Sequence, residues 1–276
     1  MGSLKSNYHT HNRLCNHAVG TAEDYVLKAI EYNYEEIGLT DHDPIPSSFM
    51  TKEEYDANLC YRNMKEEEFY NIYLPEVNAV KDKYKDKISI KTGLECEYLD
   101  NHKDYYENLK SKVDYLNLGV HFFMNKEGKI ISSYHGIDYN NVLEYANACV
   151  LGMRTKLFKI LVHPDLFMFD YKNIEGKREF DDVAYKASKI IIEEAIKNDI
   201  VLEVNVNGLA NSRKYNHTDW LYPYSSFWDL ASKYKDLKIV IGIDAHNPLS
   251  LNSDDIDLVK DFCKQHNLNI LSKLEF

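Results

Sequence analysis

Short apolar runs recur along the chain, each followed by a polar loop and then by a segment with helical periodicity. The runs are Ser6 to His9, Glu36 to Thr40, Ile88 to Glu95, Tyr115 to Val120, Lys159 to Val162, Val201 to Val206 and Ile239 to Ile243, with Asn269 to Leu271 as a possible eighth. Between them the spacing predicts helices over Ala22 to Asn33, Lys65 to Tyr84, Asn140 to Arg154, Ala184 to Lys197, Ser225 to Lys235 and Asp254 to Gln265. Thr21 with Asp24 reads as an N-cap pair, and Ser253 as another helix start. Strand alternating with helix calls for a parallel sheet with right-handed crossovers, and the number of units suggests a barrel. No low-complexity linker or solenoid-period repeat divides the sequence, so residues 1–276 are expected to form one α/β domain.

In a parallel α/β barrel the chemistry sits at the carboxyl ends of the strands. The first run ends in His9-Thr10-His11, and residues two apart in extended chain point the same way. His17 follows in the adjoining loop. The next runs end in Asp41-His42, in Gly93-Leu94-Glu95, in His121 and in His163-Pro164-Asp165. The sixth ends in Asn205 and Asn207, and the seventh closes with Asp244-Ala245-His246. A lone histidine at a strand end is usually a loop residue, but here nine side chains would face one mouth: His9, His11, His17, His42, Glu95, His121, His163, Asp244 and His246. Nine exceed the needs of one ion, because zinc-like centres take three or four protein ligands each. Two or three divalent ions fit, and imidazole with carboxylate and no thiolate favours Zn, Mn or Fe. Glu97 shares strand parity with Glu95 and competes with it as a ligand; periodicity does not choose between them.

The ligand set takes up most of the eleven histidines, the one oddity in an otherwise ordinary soluble composition. His102 and His266 read as structural, whereas His135 and His217 lie in long loops from which either could reach a substrate. The balance of 33 Lys and Arg against 44 Asp and Glu leaves a net charge of −11, which disfavours nucleic acid as a partner. Five scattered cysteines without a C-x-x-C read as reduced thiols. No apolar run approaches the roughly 20 residues of a membrane span and the polar start is not a signal peptide, so a cytoplasmic protein is expected. The 22 tyrosines lie mostly on helix faces, in packing roles, and no P-loop, G-x-G-x-x-G or G-x-S-x-G motif is present.

The ordered set His9/His11, Asp41/His42, Gly93/Glu95, His121, His163 and Asp244/His246 resembles the PHP (polymerase and histidinol phosphatase) superfamily of metal-dependent phosphoesterases. Within it, Cys15-Asn16-His17-Ala18, TDHDP, Arg62-x-Met64, GLECEY and VNGLANSRKYN ahead of Leu221-Tyr222-Pro223 are similar to the monofunctional histidinol-phosphate phosphatases. The resemblance implies a distorted (β/α)7 TIM-like barrel of PHP type and a trinuclear site. His9, His11, Glu95 and Asp244 would hold one ion, Glu95, His121 and His163 a second, and His17, His42 and His246 a third. Asp244 and His246 with Arg213 would carry the chemistry, and Arg213 with His135 would bind substrate, although GLANSRK departs from the family pattern around Arg213. The expected reaction is hydrolysis of L-histidinol phosphate, a small-molecule phosphate monoester, by a hydroxide bridging two ions, with His135, His217 or Asp165 as proton donor to the leaving group or the third ion serving it directly. Alternatives are a PHP-type phosphatase acting on phosphotyrosine protein or a nucleotide, a nuclease, or a metal-binding module without catalysis.

Overall fold

The structure, a computed structural model, describes residues 4–59, 62–217 and 219–276. Nine strands form within them: β1 Ser6–Asn7, β2 Glu36–Leu39, β3 Ser89–Cys96, β4 Tyr115–Leu118, β5 Phe122–Met124, β6 Ile130–Ser132, β7 Ile160–Leu161, β8 Val201–Asn205 and β9 Ile239–Gly242. Seven of them make one parallel sheet in the order β1-β2-β3-β4-β7-β8-β9, as the alternation implies. Each crossover carries at least one helix, so both faces of the sheet are covered, one by helices and one by the barrel's own interior.

Closure joins the two ends of the sheet just beyond β1 and β9. Thr10 bridges Ala245 in parallel, with His11 N–H donating to Ala245 O at 2.8 Å and Ala245 N–H to His9 O at 3.3 Å. The hydroxyl of buried Tyr25 braces this seam through a 3.1 Å bond to Ala245 O. Closing here sets the His9/His11 pair beside the Asp244/His246 pair, although more than 230 residues separate them in sequence.

At the opposite mouth the C-terminal segment fills the gap. The expected eighth strand, Asn269 to Leu271, is reduced to one parallel bridge, Ile270 with Ile239. Beyond it Ser6 Oγ donates to Ser272 O at 2.8 Å, and Leu274 N–H to the Tyr8 hydroxyl at 2.8 Å. Leu274 then packs with Tyr8, Tyr115, Ile160, Val162, Val201 and Val240 as an apolar plug in the barrel floor. Side chains complete the seal where the backbone makes only that one bridge.

Period-two alternation sorts the strand residues. Leu94, Leu116, Leu118, Leu202, Val204, Ile239 and Ile241 pack outward against the helices in the main core, whereas Glu95, Asn117, Glu203 and Asn205 are buried polar residues of the alternate parity. Large interior side chains require bare backbone opposite. A Cβ on Gly38 would lie 1.8 Å from the Tyr115 hydroxyl, and one on Gly242 would lie 1.7 Å from Glu203 Oε1.

Differences from the expected elements have local causes. The long helix begins at Glu66–Glu68, widens into a π turn at Phe69–Tyr73 and continues as Leu74–Tyr84. Pro75 lacks an N–H and crowds the carbonyl four residues back, and the wide turn, in which Leu74 N–H reaches Phe69 O, accommodates it. The β5–β6 hairpin was not anticipated; its turn is built by Asn125, whose side chain accepts from Glu127 N–H and Lys129 N–H, and by Gly128 at φ +77°. Thr21 and Asp24 do form a capping box at Ala22–Glu31, whereas Ser253 occupies the N-cap of Asp254–Gln265 without a side-chain bond. Cys15, Cys96, Cys149 and Cys263 are buried free thiols, and Cys60 lies outside the described residues.

Candidate metal centre

The strand ends converge on Glu95, which stands at the end of β3 with 1% of its surface exposed. Its Oε1 lies 2.9 Å from His163 Nε2 and 3.5 Å from His121 Nε2. Its Oε2 lies 3.3 Å from His9 Nε2, His11 Nε2 and His42 Nδ1 alike. Asp244 approaches from the closing seam, its Oδ1 3.1 Å from His11 Nε2 and 3.5 Å from both His9 Nε2 and His246 Nδ1. Four groups of donor atoms lie close enough to share an ion each: His9/Glu95/His163, His9/His11/Asp244, His11/His42/Glu95 and, with a thiol, His11/Cys15/Asp41. His17 and His246 complete the outer rim, with their Nε2 atoms 3.0 Å apart. All nine side chains singled out in the sequence meet in one cluster. Two of them, His163 and Asp244, hold positive φ angles of 35° and 55°, backbone strain at the points where the ligands turn inward.

The donor set suits divalent ions. Carbonyl oxygens only accept, so the 2.8 Å contact of His17 Nδ1 with Cys15 O and the 2.9 Å contact of His246 Nδ1 with Asp244 O fix a proton on each Nδ1. Both Nε2 lone pairs then face each other. Burial keeps both imidazoles neutral, lowering His17 and taking His246 down to about 3. Burial likewise holds His42 and His121 well below the ordinary histidine range. For Glu95 and Asp244 burial opposes ionisation, but the surrounding imidazoles, led by His9, outweigh it and hold both carboxylates ionised. Neutral imidazole and ionised carboxylate are the forms that ligate metal; His9, His11 and His163, which the carboxylates around them hold above the ordinary histidine range against the effect of burial, would release a proton on binding. Glu95 Oε2 is also buried without a hydrogen-bond partner, a cost that a cation removes.

Carboxylates stand behind this ring. Glu97 is not a rival ligand: its Oε1 meets His121 Nδ1 at 2.5 Å and its Oε2 accepts from His121 N–H at 3.0 Å. Burial and the nearby charge of Glu95 push it up to about 8. Asp41 accepts from His42 N–H at 2.9 Å and lies 3.5 Å from His11 Nδ1. Glu203, overlooked in the sequence, supports His9 from below through a 2.8 Å contact with Nδ1. Its signal was a charged residue at inward parity, flanked by Leu202 and Val204, in the run VLEVN.

Above the ligands opens a cavity of about 520 Å³ whose walls include Arg62, Ser132, Tyr134, His135, Asn207, Asn211, Lys214 and Tyr215. The Arg62 guanidinium lies 5.5 Å from the centre of the Tyr134 ring, which itself stacks on His121. Arg213 does not belong here. It is 60% exposed and pairs with Asp255, because it stands on the outer side of the helix Asn207–Lys214 while Lys214, one residue on, turns into the cavity. His135 is on the wall, and His217 is not among the lining residues. Asp165 is buried away from the cavity, where its Oδ2 accepts from Tyr224 N–H and Trp228 Nε1–H at 2.6 and 3.0 Å. It anchors a loop instead of facing a leaving group. Outside the site, His102 stacks on Phe49 and His266 pairs with Asp229.

A seven-stranded parallel barrel carrying a polynuclear histidine–carboxylate centre at the carboxyl ends of its strands defines a class of metal-centred barrel proteins. The PHP domain model matches residues 7–207, and the chain belongs to the PHP domain family. That span holds seven of the nine candidate ligands; Asp244 and His246 lie beyond it and return through β9. A Deinococcus radiodurans protein named "Probable histidinol-phosphatase" is 26% identical over 92% of this chain and 90% of its own length. The crystal structure of hisK from Listeria monocytogenes has the same fold, with a TM-score of 0.72 at 22% identity, covering 92% of this chain and 99% of that one. The histidinol phosphate phosphatase from Lactococcus lactis, crystallised with zinc, L-histidinol and phosphate, superposes with a TM-score of 0.66 at 18% identity over 99% of both chains.

Proposed function

We propose that this chain is a metal-dependent phosphomonoesterase that releases phosphate from L-histidinol phosphate. One observation carries the reading: seven of the nine candidate ligands, His11, His17, His42, Glu95, His121, Asp244 and His246, line the same cavity as Arg62 and Lys214. A phosphate dianion entering a protein of net charge −11 needs local positive charge, and this cavity supplies it from below and from the walls. The choice of histidinol phosphate rests on the name of the Deinococcus relative, which aligns over nearly the whole chain.

In this reading His9, His11, Glu95 and Asp244 serve one ion, Glu95, His121 and His163 a second, and His17, His42 and His246 a third, drawn from Zn, Mn or Fe. Bound ions would neutralise phosphate oxygens and acidify a water so that a nucleophile exists at neutral pH. Arg62 and Lys214 donate charge-assisted hydrogen bonds to the phosphate and orient it. Tyr134 and Tyr215 offer aromatic faces to the imidazole of the substrate. His135, on the same wall, hands a proton to the departing alkoxide. A cytoplasmic site of action belongs to the same proposal; among the described residues no helix is long and apolar enough to cross a membrane.

The test is phosphate release from histidinol phosphate, phosphotyrosine and AMP, with metal content determined on the same sample. Histidinol phosphate should give the highest kcat/KM. Preference for either other ester would overturn the substrate while leaving a phosphatase, and ions bound without any turnover would leave a metal-binding module.

A further inference from the structure

We propose that Glu203 is a positioning residue that sets the geometry of two metal ligands at once, His9 through its ring and His163 through its backbone. The inference rests on reading the cluster as a metal centre. Glu203 stands in the middle of β8 with 1% of its surface exposed. Its Oε1 lies 2.8 Å from His9 Nδ1, while its Oε2 accepts from His163 N–H at 3.0 Å and from Asn205 Nδ2 at 2.9 Å. Space for it is reserved, since a Cβ on Gly242 would fall 1.7 Å from Oε1.

Two consequences follow from that placement. A carboxylate accepting at Nδ1 puts a proton there and leaves Nε2, on the side of Glu95 and Asp244, as the ligating atom. The second oxygen ties down the backbone of His163, whose positive φ of 35° needs such support to persist. His9 belongs to the proposed first ion and His163 to the second, so one side chain links both. Glu97 makes the contrast, because both of its oxygens serve a single ligand, His121.

Glutamine keeps the shape of Glu203 but offers one acceptor oxygen where two are required. Turned toward His9, it sets an amide NH2 against the donors of His163 and Asn205. Turned the other way, it reverses the His9 tautomer and places a proton on the ligating nitrogen.

Zinc titration of the metal-free wild type, Glu203→Gln and Glu97→Gln, with circular dichroism as the check on folding, tests this. Glu203→Gln should weaken two binding steps, each by about 10- to 100-fold, and Glu97→Gln only one. A Glu203→Gln protein that titrates like wild type, or loses no more steps than Glu97→Gln, overturns the proposal. Should Glu203→Gln fail to fold, nitrogen NMR of zinc-loaded wild type decides: a proton on His9 Nδ1 supports it, and zinc on Nδ1 overturns it. A wild type that binds no zinc overturns the metal centre itself, and this inference with it.

Discussion

His17 and His246 approach each other through nitrogen atoms that both lack a proton: Nε2 to Nε2 is 3.0 Å, and each Nδ1 proton is committed to a backbone carbonyl. Two lone pairs at that distance repel unless a cation lies between them. Both rings sit at the rim and are oriented by neutral carbonyls, whereas His9 and His121 below are backed by Glu203 and Glu97. His246→Ala should therefore remove one ion and spare the deeper ones, with activity down by about 10-fold or more, the scale on which even supporting residues of metal sites act. Metal counts on dialysed protein check this, and an unchanged count would separate the pair from metal binding.

Arg62 and Arg213 should behave oppositely despite their like charge. Arg62 lines the cavity, and Arg213 pairs with Asp255 on the outside. Removing a charged donor from a phosphate costs about 1.5–3 kcal/mol, so Arg62→Met should lower kcat/KM by roughly 10- to 100-fold, mostly through KM. Arg213→Ala should stay within about 2-fold, as expected for an exposed ion pair. Steady-state kinetics of the two variants decide the matter, and equal losses would return Arg213 to the site.

The contrast between these arginines marks the limit of what a sequence discloses. The cluster of nine candidate ligands was legible because their positions follow from topology: in a parallel barrel every strand ends at the same mouth, and i, i+2 pairs such as Asp244/His246 point together. Residues 213 and 214 are adjacent, and their roles divide only because a helix forms there and turns about 100° between them. Glu95 and Glu97 share parity, and what separates them is height along the barrel, fixed by where His121 arrives from β4. The importance of Glu203 depends on His9, a partner 194 residues away, which no local pattern connects to it.

Removing metal should destabilise the fold as well as silence it. Ions that bind the native ring and not the unfolded chain add about 2.7 kcal/mol when free metal is 100 times the dissociation constant. Without them, buried Glu95 Oε2 has no hydrogen-bond partner. Chelation should lower the melting temperature by several degrees and abolish phosphate release, and Zn or Mn should restore both. An unchanged melting temperature would show that the ions, if bound, do not stabilise the native state.

Far from the centre, Arg154 and Glu194 join the helices Val142–Arg154 and Asp182–Lys197 and give a pH dependence free of metal chemistry. Arg154 Nε and Nη2 reach the two carboxylate oxygens at 2.7 and 3.1 Å, and Asn198 Nδ2 adds a third donor at 2.9 Å. These contacts, led by the Arg154 hydrogen bonds, lower Glu194 to about 2. A carboxylate depressed on folding stabilises the native state above its unfolded value of about 4.3 and loses that contribution as pH falls toward 2. Because the Arg154 side chain is 55% exposed, solvent screening keeps the contribution of the pair small. Urea unfolding of Glu194→Gln should show a small deficit unchanged from pH 7 to about 5 and shrinking below pH 4.5. A deficit that persists at pH 3 would assign the loss to packing between the helices instead of to the ion pair.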